Sequence, residues 1–313
     1  MNQCETKRQR RLYKYFQGFV FIIKNLPFSL ALRLGKGIGL LMYYLSTRDR
    51  RIAVKNVANC PLLGGDPKKI AKDSFKHMGL SAVEFIKASQ LSKSRLLSMV
   101  RIEGREYIEA AFTKGRGVIL ITPHLGNWEL LGIILSLSGY PMCPLVKTQR
   151  GNAFDQFVND HRRHFGMQPI PVGLTLRPVL GALKKNQMCA YVMDQNPGQG
   201  GIEAVFLGRK TRIARGAAVV AQKTGAQVLA GSIIRIGPWR HLVKISPIDL
   251  VRTEDPKEDI RKNTQLFSQY LSAQIMEAPE QWLWSYKRKW EDYPVGDSPI
   301  TERQESIAGQ AAE

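Results

Sequence analysis

Two patterns of apolar residues divide the chain at about residue 100. Before that point, apolar residues recur every three or four positions, the period of an α-helix, as in the segment that follows the helix-start signal Asp66-Pro67. After it, short apolar runs rich in β-branched residues alternate with helical segments. Strands that alternate with helices are typical of a mostly parallel sheet covered on both faces. The pattern predicts one α/β domain, a mixed sheet flanked by helices, with an N-terminal helical annex.

The second part of the chain contains a regular series of elements without an internal repeat. The predicted elements, in order, are strand MVRIEG, helix REYIEAAFTKG, strand GVILITP, a helix over 126–138, strand MCPLVKT, a helix over 152–165, strand QPIPV, a helix over 175–186, strands MCAYVMD and IEAVFLG, a helix over 213–224, strands QVLAGSIIRIG and HLVKISPI, and the helix KEDIRKNTQLFSQYLSAQIMEAP. Because LLGIILSL, within 126–138, is apolar almost all round, we expect it to be buried or to line a groove.

The first 50 residues predict two amphipathic helices, about 11–25 and 27–46, with Pro27 at the start of the second. Charges interrupt the apolar stretch before it reaches the roughly 20 residues of a spanning helix, and no signal-peptide cleavage pattern follows FVFII. We expect both helices to lie in a membrane interface; a cap on a soluble core and a single poorly formed spanning helix are the alternatives. Basic residues flank the pair at both ends: Lys7, Arg8, Arg10, Arg11 and Lys14, then Arg48, Arg50, Arg51 and Lys55.

The charge balance indicates a polyanionic partner. The chain has 46 Lys and Arg against 26 Asp and Glu, a net charge of +20, and its 44% hydrophobic content excludes wholesale disorder. The partner is an anionic membrane, an acidic protein or a nucleic acid, although no nucleic-acid-reading module is recognisable. Residues 1–50 are thus predicted to associate with membranes, 51–295 to form the α/β domain with a helical lead-in over 51–100, and 296–313 to be a disordered tail.

Several short motifs do not carry the chemistry that they resemble. GKGIG (35–39) lies in a helical stretch instead of following a strand, so it is not a dinucleotide fingerprint, and LGRKT lacks the glycine spacing of a P-loop. His161 and His164 have no further metal ligand nearby in sequence, and the four scattered cysteines form no C-x-x-C pair. We therefore predict neither a metal site nor a disulfide framework.

The segment PHLGNWEL contains the strongest candidate for catalysis. His124 follows the buried strand GVILITP, at the strand end where α/β proteins collect reactive groups. Glu129 lies in the first turns of the next helix, where the helix dipole favours a carboxylate, and it is expected to accept the imidazole N–H. No G-x-S-x-G nucleophile elbow occurs in the chain. The pair therefore predicts a general base that deprotonates a bound alcohol, with a local salt bridge as the structural alternative.

Four motifs in order resemble one known family. HLGNWE resembles the H-x4-D/E motif of glycerolipid acyltransferases, and its Gly-Asn-Trp-Glu version is similar to the bacterial lipid A biosynthesis late acyltransferases, the lauroyl/myristoyl acyltransferase family. The other motifs are VNDHRRHFG, with Arg162; YVMDQNPGQGG…EAVFLG, with Asp194, Gln195 and Gly208; and PEQWLWSYKRKW, with Glu280, Gln281, Trp284 and Arg288. Asn196 and Leu207 depart from the family pattern, and TRIARG (211–216) adds Arg212 and Arg215.

The resemblance implies an O-acyltransferase at the cytoplasmic face of the bacterial inner membrane. It implies transfer of a fatty acyl chain from acyl carrier protein, or from coenzyme A, to a hydroxyl of a lipid A precursor, without metal or redox cofactor. His124 and Glu129 would be catalytic, and substrate contacts would come from Gly126, Asn127, Arg162 and Asp194. Arg162 would hold either a phosphate or the oxyanion, and backbone N–H groups around Gly126 are further oxyanion donors. Another lysolipid, such as a lysophospholipid or a phosphatidylinositol mannoside, is the alternative acceptor. A basic membrane-binding protein on an inactive scaffold is the non-enzyme alternative.

Overall fold

In a computed structural model, residues 7–147, 153–173 and 175–286 are described. Their centre is a seven-stranded sheet of order β1-β9-β8-β2-β5-β3-β4. All neighbours are parallel except the antiparallel pair β8 and β9. The mostly parallel α/β sheet predicted from the sequence is thereby confirmed. The strands are β1 (Val100–Glu103), β2 (Val118–Thr122), β3 (Met142–Val146), β4 (Ile170–Pro171), β5 (Met188–Val192), β6 (Gly201–Phe206), β7 (Arg209–Ala214), β8 (Gln227–Gly237) and β9 (Arg240–Ile248).

Helices precede the sheet and connect its strands. They are α1 (Lys7–Asn25), α2 (Phe28–Leu45), α3 (Thr47–Ala58), α4 (Pro67–Ala88), α5 (Lys93–Ser98), α6 (Arg105–Thr113), α7 (Trp128–Leu137), α8 (Ala153–His164), α9 (Arg177–Lys184), α10 (Gly216–Thr224) and α11 (Pro256–Glu277). Asp66 and Asp255 cap the N-termini of the two longest helices, α4 and α11. Each aspartate accepts a hydrogen bond from a backbone N–H of its helix, and a proline follows each aspartate in the sequence. The two predicted N-terminal helices are present as α1 and α2.

Close contact between α2 and α4 explains the glycines of GKGIG. Cβ atoms at Gly35 and Gly39 would lie 2.7 Å from Gly79 O and 2.2 Å from Phe75 O, so a side chain at either position would collide with the backbone of α4. The small residues let the two helix backbones approach, and they hold α2 against the body of the protein. The motif serves helix packing, in agreement with its rejection as a nucleotide site.

The hairpin formed by β6 and β7 corrects one predicted boundary. The helix predicted over 213–224 begins at Gly216, and residues 213–214 belong to β7, which the sequence analysis missed. Leu207 and Gly208 form the turn with φ of 50° and 74°, and Phe206 pairs with Arg209. Thr211 and Ile213 are buried while the basic residues between and around them are partly exposed. The strand alternation was present in the sequence, but the run of cations obscured it.

The helix LLGIILSL is buried, which was one of its two predicted outcomes. Leu131, Ile133, Ile134 and Leu135 of α7 are at most 1% exposed and join one of the two large apolar cores of the domain.

The described cysteines Cys60, Cys143 and Cys189 are free and buried. Burial raises the pKa of the Cys143 thiol to about 11, so this cysteine behaves as a small apolar residue.

One face of α2 exposes leucine side chains to solvent. Leu30, Leu34, Leu41 and Leu45 recur at helical spacing and are 37–69% exposed, while Ala31, Gly35, Gly39 and Tyr43 face the protein. Among the described helices, none has the length and apolar character needed to cross a bilayer. The predicted tail 296–313, the side chains of Lys7, Arg8 and Arg10, and Arg288 lie outside the described residues.

Candidate functional site

The register of two central strands brings His124 and Asp194 together. β2 and β5 are parallel neighbours in which Thr122 lies opposite Val192. His124 comes two residues after Thr122, and Asp194 comes two residues after Val192. Because parallel strands end at the same edge of a sheet, both side chains emerge side by side at its carboxyl edge.

A hydrogen-bonded chain fixes the imidazole of His124. Its Nδ1 lies 2.6 Å from Asp194 Oδ1, and its backbone N–H donates to Asp194 Oδ2 at 2.8 Å. Since an ionised carboxylate only accepts, the ring proton belongs on Nδ1, and Nε2 accepts from the Gln195 side-chain amide at 3.3 Å. The indole of Trp128 meets the ring edge-to-face with centroids 4.9 Å apart, and Tyr286 stacks at 5.9 Å. The geometry is that of a histidine base whose tautomer a buried aspartate sets.

Glu129 does not orient His124, so the predicted contact between them is corrected. Its two carboxylate oxygens accept from Arg162, from Nε at 2.9 Å and from Nη2 at 2.5 Å. The reason is geometric: Glu129 lies in the first turn of α7 and turns toward α8, whereas the strand register places Asp194 opposite His124. Both side chains of the Glu129–Arg162 pair are 17% exposed. Trp128, the neighbour of Glu129 in sequence, contacts the His124 ring, so Glu129 adjoins the turn that carries the base.

Asn127 and Gly126, which the resemblance assigns to substrate contacts, make structural contacts within the protein. Asn127 is 2% exposed; its Oδ1 caps α7 by accepting from Leu130 N, and its Nδ2 donates to Glu84. The N–H of Gly126 donates to Gln281 O at 3.0 Å and is therefore not directed at a reacting oxygen. Gly126 has φ +57°, and a Cβ there would lie 2.0 Å from Ile233 O, so only glycine fits this turn.

A buried ion pair supports the turn from behind. Glu84 of α4 accepts from both Nη atoms of Arg235, with Nη2 at 2.7 Å, and lies 3.3 Å from His241 Nε2. Burial opposes ionisation of Glu84, but the hydrogen bonds from His241 and Arg235 outweigh it and lower the pKa of Glu84 to about 2. The carboxylate is therefore ionised at neutral pH and anchors Asn127.

The C-terminal segment 279–286 completes the site. The Trp282 indole N–H donates to Asp194 Oδ2 at 2.7 Å, and Leu283 N donates to His124 O at 3.2 Å. Gln195 and Gln281 are only motif matches in the sequence, and no pattern there predicts a role for Trp282 or Glu84. One signal for Asp194 was available: it follows its strand at the same offset as His124 follows β2.

His161, the first histidine of the H-x-x-H pair, packs among aromatic rings. His161 is buried against Phe85, whose ring centroid is 4.2 Å from its own. Burial lowers the pKa of His161 to about 4, which keeps it neutral at pH 7. Within the part of the chain that the structure describes, no group of three or more His, Cys, Asp or Glu side chains is arranged to hold a metal ion.

The chain is similar to known lipid acyltransferases over most of its length. The sequence model of the family described as bacterial lipid A biosynthesis acyltransferase matches residues 4–291. The lipid A biosynthesis palmitoleoyltransferase of Escherichia coli (strain K12) is 25% identical over 310 residues, which cover 95% of this chain and 98% of the relative. The lipid A biosynthesis lauroyltransferase of the same organism is 22% identical over 281 residues, 87% of this chain and 89% of the relative.

A third relative acts on another lipid. The phosphatidylinositol mannoside acyltransferase of Mycobacterium tuberculosis (strain ATCC 25618 / H37Rv) is 27% identical over 132 residues, which cover 41% of this chain and 42% of the relative. The full-length match of the family model, together with the α/β fold, identifies the enzyme class. The chain belongs to the bacterial lipid A biosynthesis acyltransferase family and is an acyltransferase.

Proposed function

We propose that this enzyme moves a fatty acyl chain from the thioester of acyl carrier protein, or of coenzyme A, to a hydroxyl group of a lipid A precursor. One observation carries the chemistry: His124 is held by Asp194 at the carboxyl edge of the sheet, with its Nε2 directed away from that carboxylate toward the Gln195 amide. An unprotonated Nε2 is a base, and the Gln195 amide marks the position from which an acceptor O–H would donate to it.

His124 is the general base of this reaction. Its Nε2 takes the proton of the acceptor hydroxyl while the oxygen attacks the thioester carbonyl. The imidazolium that forms is stabilised by Asp194, which lies at hydrogen-bond distance from Nδ1. The tetrahedral intermediate then breaks the C–S bond, and the leaving thiolate recovers the proton from Nε2. The thioester is already activated, so the scheme needs neither metal nor redox cofactor.

Arg162 is the cation of the site. Glu129 and Asn159 accept from three of its N–H groups, which fixes the plane of the guanidinium. The remaining N–H groups suit an anion, either the oxyanion of the tetrahedral intermediate or a phosphate of a substrate. In this scheme Glu129 is a positioning residue for Arg162.

A small cleft beside the catalytic turn is lined by Ser74, Met78, Gly126, Trp128, Gln281, Trp282 and Leu283. Its volume of about 10 Å³ holds about one water molecule and is too small for a fatty acyl chain, so we do not assign the acyl chain to it. An acidic carrier protein fits the net charge of +20 as the donor's protein component.

The exposed leucine face of α2 is the surface that we assign to the membrane. Arg33 and Lys36, both exposed, and Arg48 just beyond the helix flank these leucines. Apolar side chains with adjacent cations favour an interface rich in anionic lipid, which would hold the enzyme on the cytoplasmic face of the inner membrane. The opposite face of α2 packs on α4, so the alternative of a cap on a soluble core describes that face and not the exposed leucines.

An assay with purified full-length enzyme tests the reaction. Labelled acyl–acyl carrier protein and acyl coenzyme A are each offered with a lipid A precursor, and product is measured by mass spectrometry. We expect transfer by the wild type and a loss of about 10³-fold or more in His124→Ala, the scale of a lost base held by an aspartate. His164→Ala, an exposed histidine outside the site, is the matched control and should retain activity. Retained activity in folded His124→Ala would exclude the mechanism.

The acceptor is tested separately, because one relative acts on phosphatidylinositol mannoside. Lipid extracts from a deletion strain are compared with the parent by mass spectrometry. We expect lipid A to lose one acyl chain; an unchanged lipid A together with an altered lysophospholipid or glycolipid would assign the acceptor to the alternative class.

Vesicle sedimentation tests the membrane surface and the non-enzyme alternative. The protein should sediment with phosphatidylglycerol vesicles at physiological salt and should not be retained by DNA. Leu34→Asp together with Leu41→Asp should weaken vesicle binding by about tenfold or more, because each change places a charge in the apolar interface. Tyr107→Asp, at an exposed apolar residue of α6, is the control. Equal loss in both proteins would reject the α2 surface.

A further inference from the structure

The C-terminal segment 279–286 begins with a 3-10 helical turn, Pro279–Gln281, and lies along the catalytic turn. Gly126 N donates to Gln281 O at 3.0 Å, Leu283 N donates to His124 O at 3.2 Å, and Leu125 and Trp282 form an antiparallel bridge. These backbone contacts fix the position of Trp282 relative to the base.

Contacts with neighbouring aromatic rings also fix the indole of Trp282. It is fully buried, and its ring meets Trp284 edge-to-face at 4.5 Å and Phe206 at 5.8 Å. A ring enclosed in this way cannot swing its N–H away without disturbing the core. Its Nε1–H therefore has a fixed direction, and it lies 2.7 Å from Asp194 Oδ2.

Asp194 receives donors on both carboxylate oxygens. Oδ2 accepts from Trp282 Nε1 and from the backbone N–H of His124, while Oδ1 lies 2.6 Å from His124 Nδ1. Two fixed donors on Oδ2 determine the plane of the carboxylate, and that plane aims Oδ1 at the imidazole. The side chain of Asp194 is 1% exposed, so water does not readily replace a lost donor.

We propose that Trp282 is a positioning residue, which acts on His124 through Asp194 by directing the carboxylate with its indole N–H. The inference rests on the proposed function, in which His124 is the base. Without the N–H, Asp194 can rotate, the hydrogen bond to Nδ1 loses alignment, and the imidazolium formed during transfer is less stabilised. The effect belongs to the transition state, so kcat falls and KM changes little.

Trp284 provides a matched control on the same segment. It is also fully buried and also donates its indole N–H, but to Pro279 O at 2.7 Å. Trp282→Phe and Trp284→Phe therefore remove the same ring fragment and one hydrogen bond from the same core. Phenylalanine at position 284 keeps an aromatic ring against Trp282 and leaves the Trp282 N–H in place, so only Trp282→Phe removes a donor from Asp194.

Steady-state kinetics of the full-length enzyme separate a positioning role from a packing role. We expect Trp282→Phe to lower kcat by about 10- to 100-fold, the scale of a hydrogen bond to a charged group. Trp284→Phe should lower the thermal midpoint to a similar extent and keep kcat within about threefold. Similar kcat losses in the two variants, or an unchanged kcat in Trp282→Phe, would overturn the proposal.

A double-mutant cycle tests whether the effect passes through Asp194. In an Asp194→Ala background, Trp282→Phe should change kcat by less than about threefold; the same fold loss in both backgrounds would overturn the proposal. Trp282→3-benzothienylalanine keeps the ring shape and replaces N–H by sulfur, so it serves where the phenylalanine variant does not fold.

A measurement that needs no turnover keeps this inference separate from the proposed function. The Nδ1–H proton of His124 should give a ¹H resonance far downfield of the amides in the wild type and in Trp284→Phe. It should move upfield or broaden in Trp282→Phe, and an unchanged resonance would overturn the proposal even if Asp194→Ala is too slow to assay. A wild type without acyl transfer would refute the proposed function while leaving this hydrogen-bond test intact.

Discussion

Two arginine–carboxylate pairs adjoin the turn that carries His124, and they differ in burial. Glu84 and Arg235 lie behind the turn, with side chains 0% and 8% exposed. Glu129 and Arg162 lie beside it, and each is 17% exposed. Both pairs use two N–H groups of one guanidinium, so the chemistry is the same and the surroundings differ.

The surroundings separate a structural pair from one available to a ligand. The oxygens of Glu84 contact Arg235, Asn127 and His241, and the side chains of Glu84 and Arg235 are 0% and 8% exposed. Arg162 is held on one side and keeps N–H groups at the surface of the site. The more buried pair therefore fixes the turn, whereas the more exposed pair offers the positive charge of Arg162 to a ligand.

Breaking the buried pair should have the largest effect on stability. Glu84→Ala leaves the Arg235 guanidinium buried without its carboxylate, which costs about 3–5 kcal/mol of unfolding free energy. Urea denaturation followed by circular dichroism measures it. The exposed pair of Arg261 and Glu258 is the control, and Arg261→Ala should leave the urea midpoint nearly unchanged. A midpoint unchanged in Glu84→Ala would show that the buried pair does not stabilise the fold.

The same pair should make stability depend on acid pH in a defined window. The pKa of Glu84 is lowered to about 2 from 4.5, because the hydrogen bonds from His241 and Arg235 outweigh the opposing effect of burial. A group with a depressed folded pKa contributes stability above its unfolded pKa and loses it as pH falls through the folded value. The difference in unfolding free energy between wild type and Glu84→Gln should thus be constant above about pH 5 and shrink by about 3 kcal/mol toward pH 2. A difference independent of pH would contradict the assignment.

Removing the charge at the half-buried pair should affect catalysis more than stability. Arg162→Met is expected to lower kcat/KM by about 100-fold, the scale of one lost donor to a developing charge, with a change of less than about 1.5 kcal/mol in unfolding free energy. The assay and the urea titration together measure both effects. Arg163→Met is the matched control, because Arg163 is the next residue of α8, is exposed and pairs with Asp160 of the same helix. Equal losses of kcat/KM in the two variants would show that Arg162 has no specific role in the site.

The elements of this fold were predictable where the signal is local. The helices around Pro27 and Asp66 and the strand before His124 follow from periodicity and start signals over a few residues. β7 was missed because its buried Thr211 and Ile213 alternate with cations, which obscured the strand pattern. Local signals therefore identify elements, and they are weakest where surface charge interrupts an apolar face.

The partners of the site residues were not predictable from one sequence. Asp194 is 70 residues from His124 and Arg235 is 151 from Glu84, and only the strand order and register bring them together. The sequence favours Glu129 because it lies in the first turns of the helix that follows the strand end, within the H-x4-E motif. The structure differs because α7 directs Glu129 toward Arg162 of α8 instead of toward the strand end.

The smallest expected effect tests which residue Glu129 serves. Glu129→Gln keeps one acceptor oxygen for Arg162 but removes the charge, so kcat/KM should fall by about tenfold. In an Arg162→Met background the same change should lower it by less than about twofold, because Glu129 then has no guanidinium to hold. A tenfold loss in both backgrounds would show that Glu129 acts by a route independent of Arg162, such as on His124 in the substrate complex. The kinetic cycle therefore distinguishes the contact that the sequence predicts from the contact that the structure shows.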